Sequence, residues 1–466
     1  MRLFKNLVFP LILLFALFFR LYLSPKTFHH DLICQASWGK YIYVNTAKNF
    51  YHAHNEWLYF SNPNHPPLSN LLYTISQKID FKTRLPIVRY SSFIVKHNLA
   101  PFPFRSYFTT LKNLDSTVSP EQPFTYGFLM SLKLWSIFAD ILIAIVIYQI
   151  AKKYNRHPLL FPLLYLFSPF SWYLSALWGQ TDQLSFLFTL ISLILLPKFT
   201  IIPIIVLFIG ISIKPTSLMF APLFLYILFI KKPKLSKVII GGFISLILCF
   251  FIFRPFYETN FFDFIFNTLI PKVVNRAEFR VSTNSYNFWH IFTVDKAIEH
   301  NTKILSLISY KHLGFIFYGL FTVFSLKILK KLTIYNILVS LFIISGASWL
   351  FLTNMLDRYF FTAIATGLIL SIFKPKSLKY WIPLSLIFWL NLFRQWYYPQ
   401  DLQLIKNILE YNNKIIGSHL SLANVILFIL SIKLFISSSP QDNTSYPCPH
   451  PSKKSSLDKA RSLKHH

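Results

Sequence analysis

About twelve apolar runs, most of roughly 14 to 20 residues, follow one another along this chain with short clusters of lysine and arginine between them. No other feature restricts the fold as much. Backbone inside hydrocarbon must satisfy its own hydrogen bonds, so runs of this kind predict helices rather than open sheet. They lie near residues 4–23, 127–150, 158–176, 183–197, 200–213, 216–231, 237–253, 312–329, 333–352, 359–373, 378–393 and 419–437. Composition agrees: 54% of the 466 residues are hydrophobic and only 14% charged, against roughly 25% in ordinary soluble chains. The net charge of +29 would suit nucleic acid, but its cations sit at the ends of apolar runs, which points to a lipid bilayer and away from a nucleic-acid partner. The expected class is an all-α polytopic membrane protein with about 12 transmembrane helices and long extracytoplasmic loops.

Flanking charge orients those helices. Lys214-Pro215 interrupts residues 201–230, which read either as one long helix or as two short ones. With two, Lys152-Lys153 with Arg156, Lys198, Lys231-Lys232, Lys330-Lys331, Lys374 with Lys376 and the basic tail share one side, so both termini are expected in the cytoplasm. The first run follows Arg2 and Lys5 without a small-residue cleavage site, so it reads as a retained first span rather than a signal peptide. Fourteen of the seventeen acids then fall in the outer loops, marking the extracytoplasmic face as the place of chemistry. The expected organisation is a first helix at 1–23, an outer loop at 24–126, helices 2–7 over 127–253, an outer loop at 254–311, helices 8–12 over 312–437 with an outer loop at 394–418, and a disordered basic tail at 438–466. Within the first loop, residues 32–44 and 68–79 have the spacing of interfacial helices, and 86–123 reads as irregular. Cys34, Cys249 and Cys448 have neither paired nor metal-ligand spacing.

Several polar groups stand where polarity is costly. Asp31 follows the first run directly and can accept a proton from a sugar hydroxyl, or can be a solvated interface acid. Gln180 and Asp182 lie in a Trp-Gly-Gln-Thr-Asp hairpin between short spans; they either line a cavity or form an exposed turn. His65, in Asn-His-Pro-Pro-Leu, can bind substrate or cap a turn. Lys214 meets an anion or snorkels to the interface, and Arg358 offers a planar fork to phosphate or pairs with Asp357. Arg254, Arg276 and Arg280 with Asn284, Tyr286 and Asn287 form a basic, amide-rich loop ending in Phe288-Trp289-His290, suited to a phosphate and a sugar or to lipid headgroups. There is no Walker loop, dinucleotide fingerprint, HExxH or Asp-x-Asp motif, and with 11 glycines a backbone nucleotide cradle is disfavoured, so no metal or cofactor is expected.

The order of these motifs resembles the GT-C glycosyltransferases, polytopic enzymes that take sugar from a polyprenyl-phosphate carrier. An Asp after the first span, an Asn/His-Pro-Pro-Leu stretch, a Trp-Gly-Gln-x-Asp hairpin, a Lys-Pro break, an Asn-x-Tyr-Asn-x-Trp loop and an Asp-Arg-Tyr span entry run in order over residues 1 to about 375. The resemblance implies an inverting transferase with Asp31 as base, Arg358 and Lys214 at the donor phosphate, and His65 and Asp182 lining the sugar or acceptor pocket. The expected sugar is a hexose of mannose or glucose type, and the loops themselves add Arg254 at the donor phosphate and Gln180, Asn284 and Tyr286 at the sugar or acceptor. A single Asp rather than an Asp-Glu pair disfavours a protein acceptor, leaving a lipid-linked glycan or a cell-surface polysaccharide. Two rivals remain: a lipid-linked oligosaccharide flippase, which would be expected to show repeated halves, and a polysaccharide polymerase or ligase.

Overall fold

Every apolar run lies on helical backbone in the computed structural model, which describes residues 2–52, 62–101, 104–119, 122–258, 260–274, 279–294, 296–411 and 413–437. Among these residues five helices are long and apolar enough to cross a membrane, namely Leu7–Lys26, Tyr126–Lys153, Leu235–Phe256, Ile334–Phe351 and Ile415–Ile436. Leu160–Phe167 with Pro169–Trp178 makes a sixth if the pair, bent by 49°, is one span. The chain is a helical membrane protein. Two short antiparallel hairpins, Thr117–Ser119 with Gln122–Thr125 and Lys303–Ile304 with Ile308–Ser309, qualify the all-α expectation. The predicted tail from 438, with Cys448, lies outside the described residues, as does Arg276.

Ile334–Phe351 is enclosed on all sides, as expected of a helix that is apolar all round. It shares the main core with Phe361–Phe373. Leu235–Phe253 turns Ile239, Phe243 and Phe251 outward, the face a bilayer would cover. The first long loop has a smaller core of its own, in which Leu32, Trp38, Phe50 and Tyr73 meet Phe128, Phe253 and Phe264.

The chain breaks at Lys214-Pro215 as the two-helix reading requires: Ile201–Ile213 ends, a 3-10 turn covers Pro215–Phe220, and Ala221–Lys231 resumes. Breaking a helix in apolar surroundings exposes backbone carbonyls, and neighbouring hydroxyls meet them. Ser69 donates to the Ile213 carbonyl at 2.5 Å and Ser185 to the Gly210 carbonyl at 3.3 Å, and the Ser217 hydroxyl links Ser185 to Thr189 at 2.7 and 2.9 Å. The interfacial stretch differs from expectation. Helix Pro67–Lys96 runs straight through Pro86 instead of ending there, and Phe104–Leu111 packs back on it through Tyr90 and Phe108. Pro86 removes one amide from an exposed turn, so the carbonyl of Lys82 that it abandons can be met by water.

A charge pair inside the membrane fastens the first helix. Arg20 and Asp140 are fully buried 3.0 Å apart. The guanidinium also donates to the Leu166 carbonyl and the Ser171 hydroxyl at 2.9 and 2.7 Å, and the Tyr165 hydroxyl donates to the other Asp140 oxygen at 2.7 Å. Two turns before Asp140 on the same helix, the buried Lys133 ammonium donates to the Ser24 and Thr27 carbonyls at 2.7 and 2.6 Å. These bonds fix the path of the chain just before Asp31.

Candidate active site

Helix His30–Asn45 begins with Asp31 in its first turn, where the partial positive charge of a helix N-terminus favours a carboxylate. His29 caps that helix, its Nδ1 accepting the Asp31 amide at 3.1 Å. The imidazole lies 4.3 Å from Trp178 and 5.1 Å from Trp396, and burial pushes its pKa down to about 4 against the pull of Asp31. A neutral ring with Nδ1 occupied as acceptor carries its proton on Nε2 and is no base for substrate. Gly39 brings the same helix against Pro67–Lys96, since a Cβ there would stand 2.8 Å from the Tyr73 backbone.

The Trp-Gly-Gln hairpin arrives from the opposite side. A π-helical turn over Tyr173–Trp178 ends on Gly179 at φ +85°, a left-handed cap that glycine adopts without strain. A Cβ at Gly179 would also meet Leu32 at 2.8 Å and Lys133 at 2.9 Å. Gln180 then donates from Nε2 to Asp31 Oδ2 at 2.8 Å, and its carbonyl accepts the Ser136 hydroxyl. Arg358, in the 3-10 turn Asp357–Phe360, places Nη1 3.3 Å from Asp31 Oδ2 and 3.5 Å from Asp357, with Nε 3.9 Å from Asp182. Lys214 Nζ lies 2.7 Å from Asp182.

Asp31, Gln180 and Arg358 border a cavity of about 440 Å³, which His65 and Asn284 also line among the residues expected at the site. His65 serves in two ways. Its carbonyl accepts Asn70 and Tyr51 at 2.9 and 2.6 Å, securing the Pro-Pro turn, while its ring faces the cavity beside Trp38, with Nδ1 2.7 Å from the Tyr73 hydroxyl. Asp31 is the open carboxylate, its side chain 36% exposed against 7% for Asp182 and 3% for Asp357.

Four expectations need correction. Asp182 and Lys214 lie behind the cavity wall, tied to one another, because a lysine at a helix break in apolar surroundings is best compensated by the nearest carboxylate. Arg254 is exposed and stacks on Tyr257, donating to its carbonyl at 3.0 Å, away from the cavity. Tyr286 is buried in the core, 5.4 Å from His290, with its backbone held by Asn391 at 2.7 Å and Asn424 at 2.9 Å. Phe288 and Trp289 belong to the core too, the Trp289 indole donating to the Phe351 carbonyl at 2.7 Å. Conversely Gln35, Asn354 and Gln395 line the cavity without having been expected there; each comes from a separate segment with no local motif.

Compared with known protein families, the chain matches no family model, and no characterised protein matches it in sequence.

Among the described residues no group of three or more His, Cys, Asp or Glu side chains is placed to hold a metal ion. Three carboxylates instead share two cations. Burial pushes Asp357 up to about 7, with Asp31 and Asp182 adding to the rise and Arg358 opposing it. An acid raised in this way is neutral below its pKa and competes for Arg358 only above it. Affinity for an anion at Arg358 is therefore expected to fall as pH rises between about 6 and 8, and Asp357→Asn should flatten that profile in a binding titration.

Proposed function

We propose that this chain is an integral membrane glycosyltransferase that moves a hexose of mannose or glucose type from a polyprenyl-phosphate carrier to a lipid-linked glycan or a cell-surface polysaccharide. The observation that carries the reading is the open Asp31 carboxylate held 3.3 Å from the Arg358 guanidinium on a cavity beside apolar helices. A carrier with a long chain in the bilayer and a phosphate at its surface needs that juxtaposition of cation, base and apolar flank.

The acceptor hydroxyl oxygen attacks the anomeric carbon while its proton passes to Asp31. The bond from that carbon to the phosphate oxygen breaks with inversion, and the carrier phosphate leaves with the electron pair, its charge met by Arg358. Before the donor enters, Arg358 is committed to Asp31 and Asp182; a phosphate that draws the guanidinium away leaves Asp31 more basic when it must take a proton. Gln180 holds the carboxylate in place, and Lys214 neutralises Asp182 so that Arg358 is not fully claimed by it. His65, Asn64 and Asn284 offer partners for hydroxyls, and the buried rings of Trp38 and Trp178 back the wall behind them.

Arg358→Lys keeps the charge but loses the planar fork, and hydrogen bonds to charged groups are worth about 1.5–3 kcal/mol, or one to two decades of affinity. Donor binding should weaken by that much, weaken further in Arg358→Ala, and leave acceptor binding nearly unchanged. Normal donor affinity in Arg358→Ala overturns the assignment.

The same reading takes all the apolar runs as about twelve spans, with both termini cytoplasmic and the cavity on the extracytoplasmic face. In a variant lacking the native cysteines, an impermeant thiol reagent applied to intact cells is expected to label Lys112→Cys and to spare Lys232→Cys. The reverse pattern contradicts this orientation.

A further inference from the structure

At the end of the helical hairpin opposite the candidate active site lies a recess of about 580 Å³. Helix Asp182–Leu195 starts at the Asp182–Lys214 ion pair and runs toward this recess; Ile201–Ile213 starts beside it and returns to Lys214. Fourteen residues of helix put the two ends about 21 Å apart. Five lysines line the recess: Lys198, Lys231, Lys232, Lys234 and Lys237. Among the described residues no carboxylate lines it.

Lys231 builds the floor. Its ammonium donates to the Leu196 and Phe199 carbonyls at 2.8 and 2.5 Å and to the Thr200 hydroxyl at 3.0 Å, which joins the two turns. Lys232 then takes a left-handed conformation, φ +47°, and with Pro233 turns the chain back over the recess. Two helices begin at its edge, Ile201–Ile213 and Leu235–Phe253, and neither has a side-chain N-cap. First-turn amides and their partial positive charge therefore add to the lysines, in a concave space where like charges repel unless an anion enters.

We infer that this recess binds the phosphate of an anionic lipid headgroup. The chemistry required is a phosphate group, which a lipid or a soluble diphosphate can supply; the apolar flank favours the lipid. Phe199, Ile202, Leu235 and Ile239 are exposed beside the lysines at the boundary of the apolar helices, where acyl chains would lie below the headgroup. A soluble anion would leave that flank unused. The inference rests on the membrane helices and not on the transferase reading.

The test uses the full-length protein in detergent, with native mass spectrometry counting bound phosphatidylglycerol against phosphatidylcholine and inorganic diphosphate as a soluble competitor. Phosphatidylglycerol is expected to bind about tenfold more tightly than phosphatidylcholine. With Lys198→Gln, Lys232→Gln, Lys234→Gln and Lys237→Gln combined, the preference should fall to within about twofold, whereas arginine at the same four positions should keep it. If the fourfold glutamine variant does not fold, Lys234→Gln and Lys237→Gln tested singly should each reduce the preference. A preference that survives these substitutions, or that the parent protein lacks, overturns the site. Diphosphate that binds at the recess as tightly as the lipid overturns the lipid assignment.

Discussion

Asp31→Asn is expected to lower sugar transfer by roughly 10²-fold or more while donor binding stays within a few fold of the parent. The amide keeps the size of the side chain and can still accept the Gln180 hydrogen bond of 2.8 Å, but it cannot take a proton. His29, which lines the same cavity, cannot replace it, because its Nδ1 accepts the Asp31 amide and burial keeps the ring neutral down to about pH 4. Steady-state rates and donor affinity measured on both proteins check this split. Activity within a few fold of the parent would make Asp31 an ordinary interface acid.

The second large effect concerns stability. Removing one partner of a buried ion pair leaves an uncompensated charge and typically costs about 3–5 kcal/mol, whereas replacing both partners by apolar residues is often neutral. Arg20→Leu should therefore lower the thermal midpoint of the purified protein strongly, and Asp140→Leu should do the same, since both side chains are fully buried and 3.0 Å apart. The double variant should recover most of the loss. Additive losses in the double variant would mean that the pair is not coupled and that Tyr165 and Ser171 carry the polar cluster by themselves.

Long apolar runs were legible because a single run can satisfy its own backbone in hydrocarbon only as a helix, and the Lys214-Pro215 break was legible because a missing amide there coincides with a charged residue in an apolar stretch, whereas the exposed Pro86 is tolerated. Asp31, Gln180 and Arg358 were found through the cost of polar groups beside apolar spans and His65 through the Pro-Pro turn that holds it, and the structure brings these four to one cavity. Asp182 and Lys214 were found by the same cost, but the cost does not say whether the compensating partner is a substrate or another side chain; here each compensates the other. Tyr286 and Trp289 were misread because a loop rich in aromatics and amides looks like a recognition surface, yet these two rings complete the core. Arg20 passed unnoticed between Phe19 and Leu21, since its partner Asp140 lies 120 positions away and no local spacing links them. Gln395 and Trp396 were equally silent, as tertiary packing alone carries them to the cavity and to His29.

On the proposed function the cavity transfers sugar from a polyprenyl-phosphate carrier, and the most direct measurement offers it that chemistry. The purified protein in a bilayer is given a panel of polyprenyl-phosphate hexoses and the corresponding nucleotide sugars, with lipid-linked and peptide acceptors compared and the anomeric configuration of any product determined. The predicted result is transfer from a polyprenyl-phosphate sugar to a lipid-linked or polysaccharide acceptor with inversion, lost in Asp31→Asn. Direct use of a nucleotide sugar would contradict it, as would passage of a lipid-linked oligosaccharide across the bilayer without any transfer.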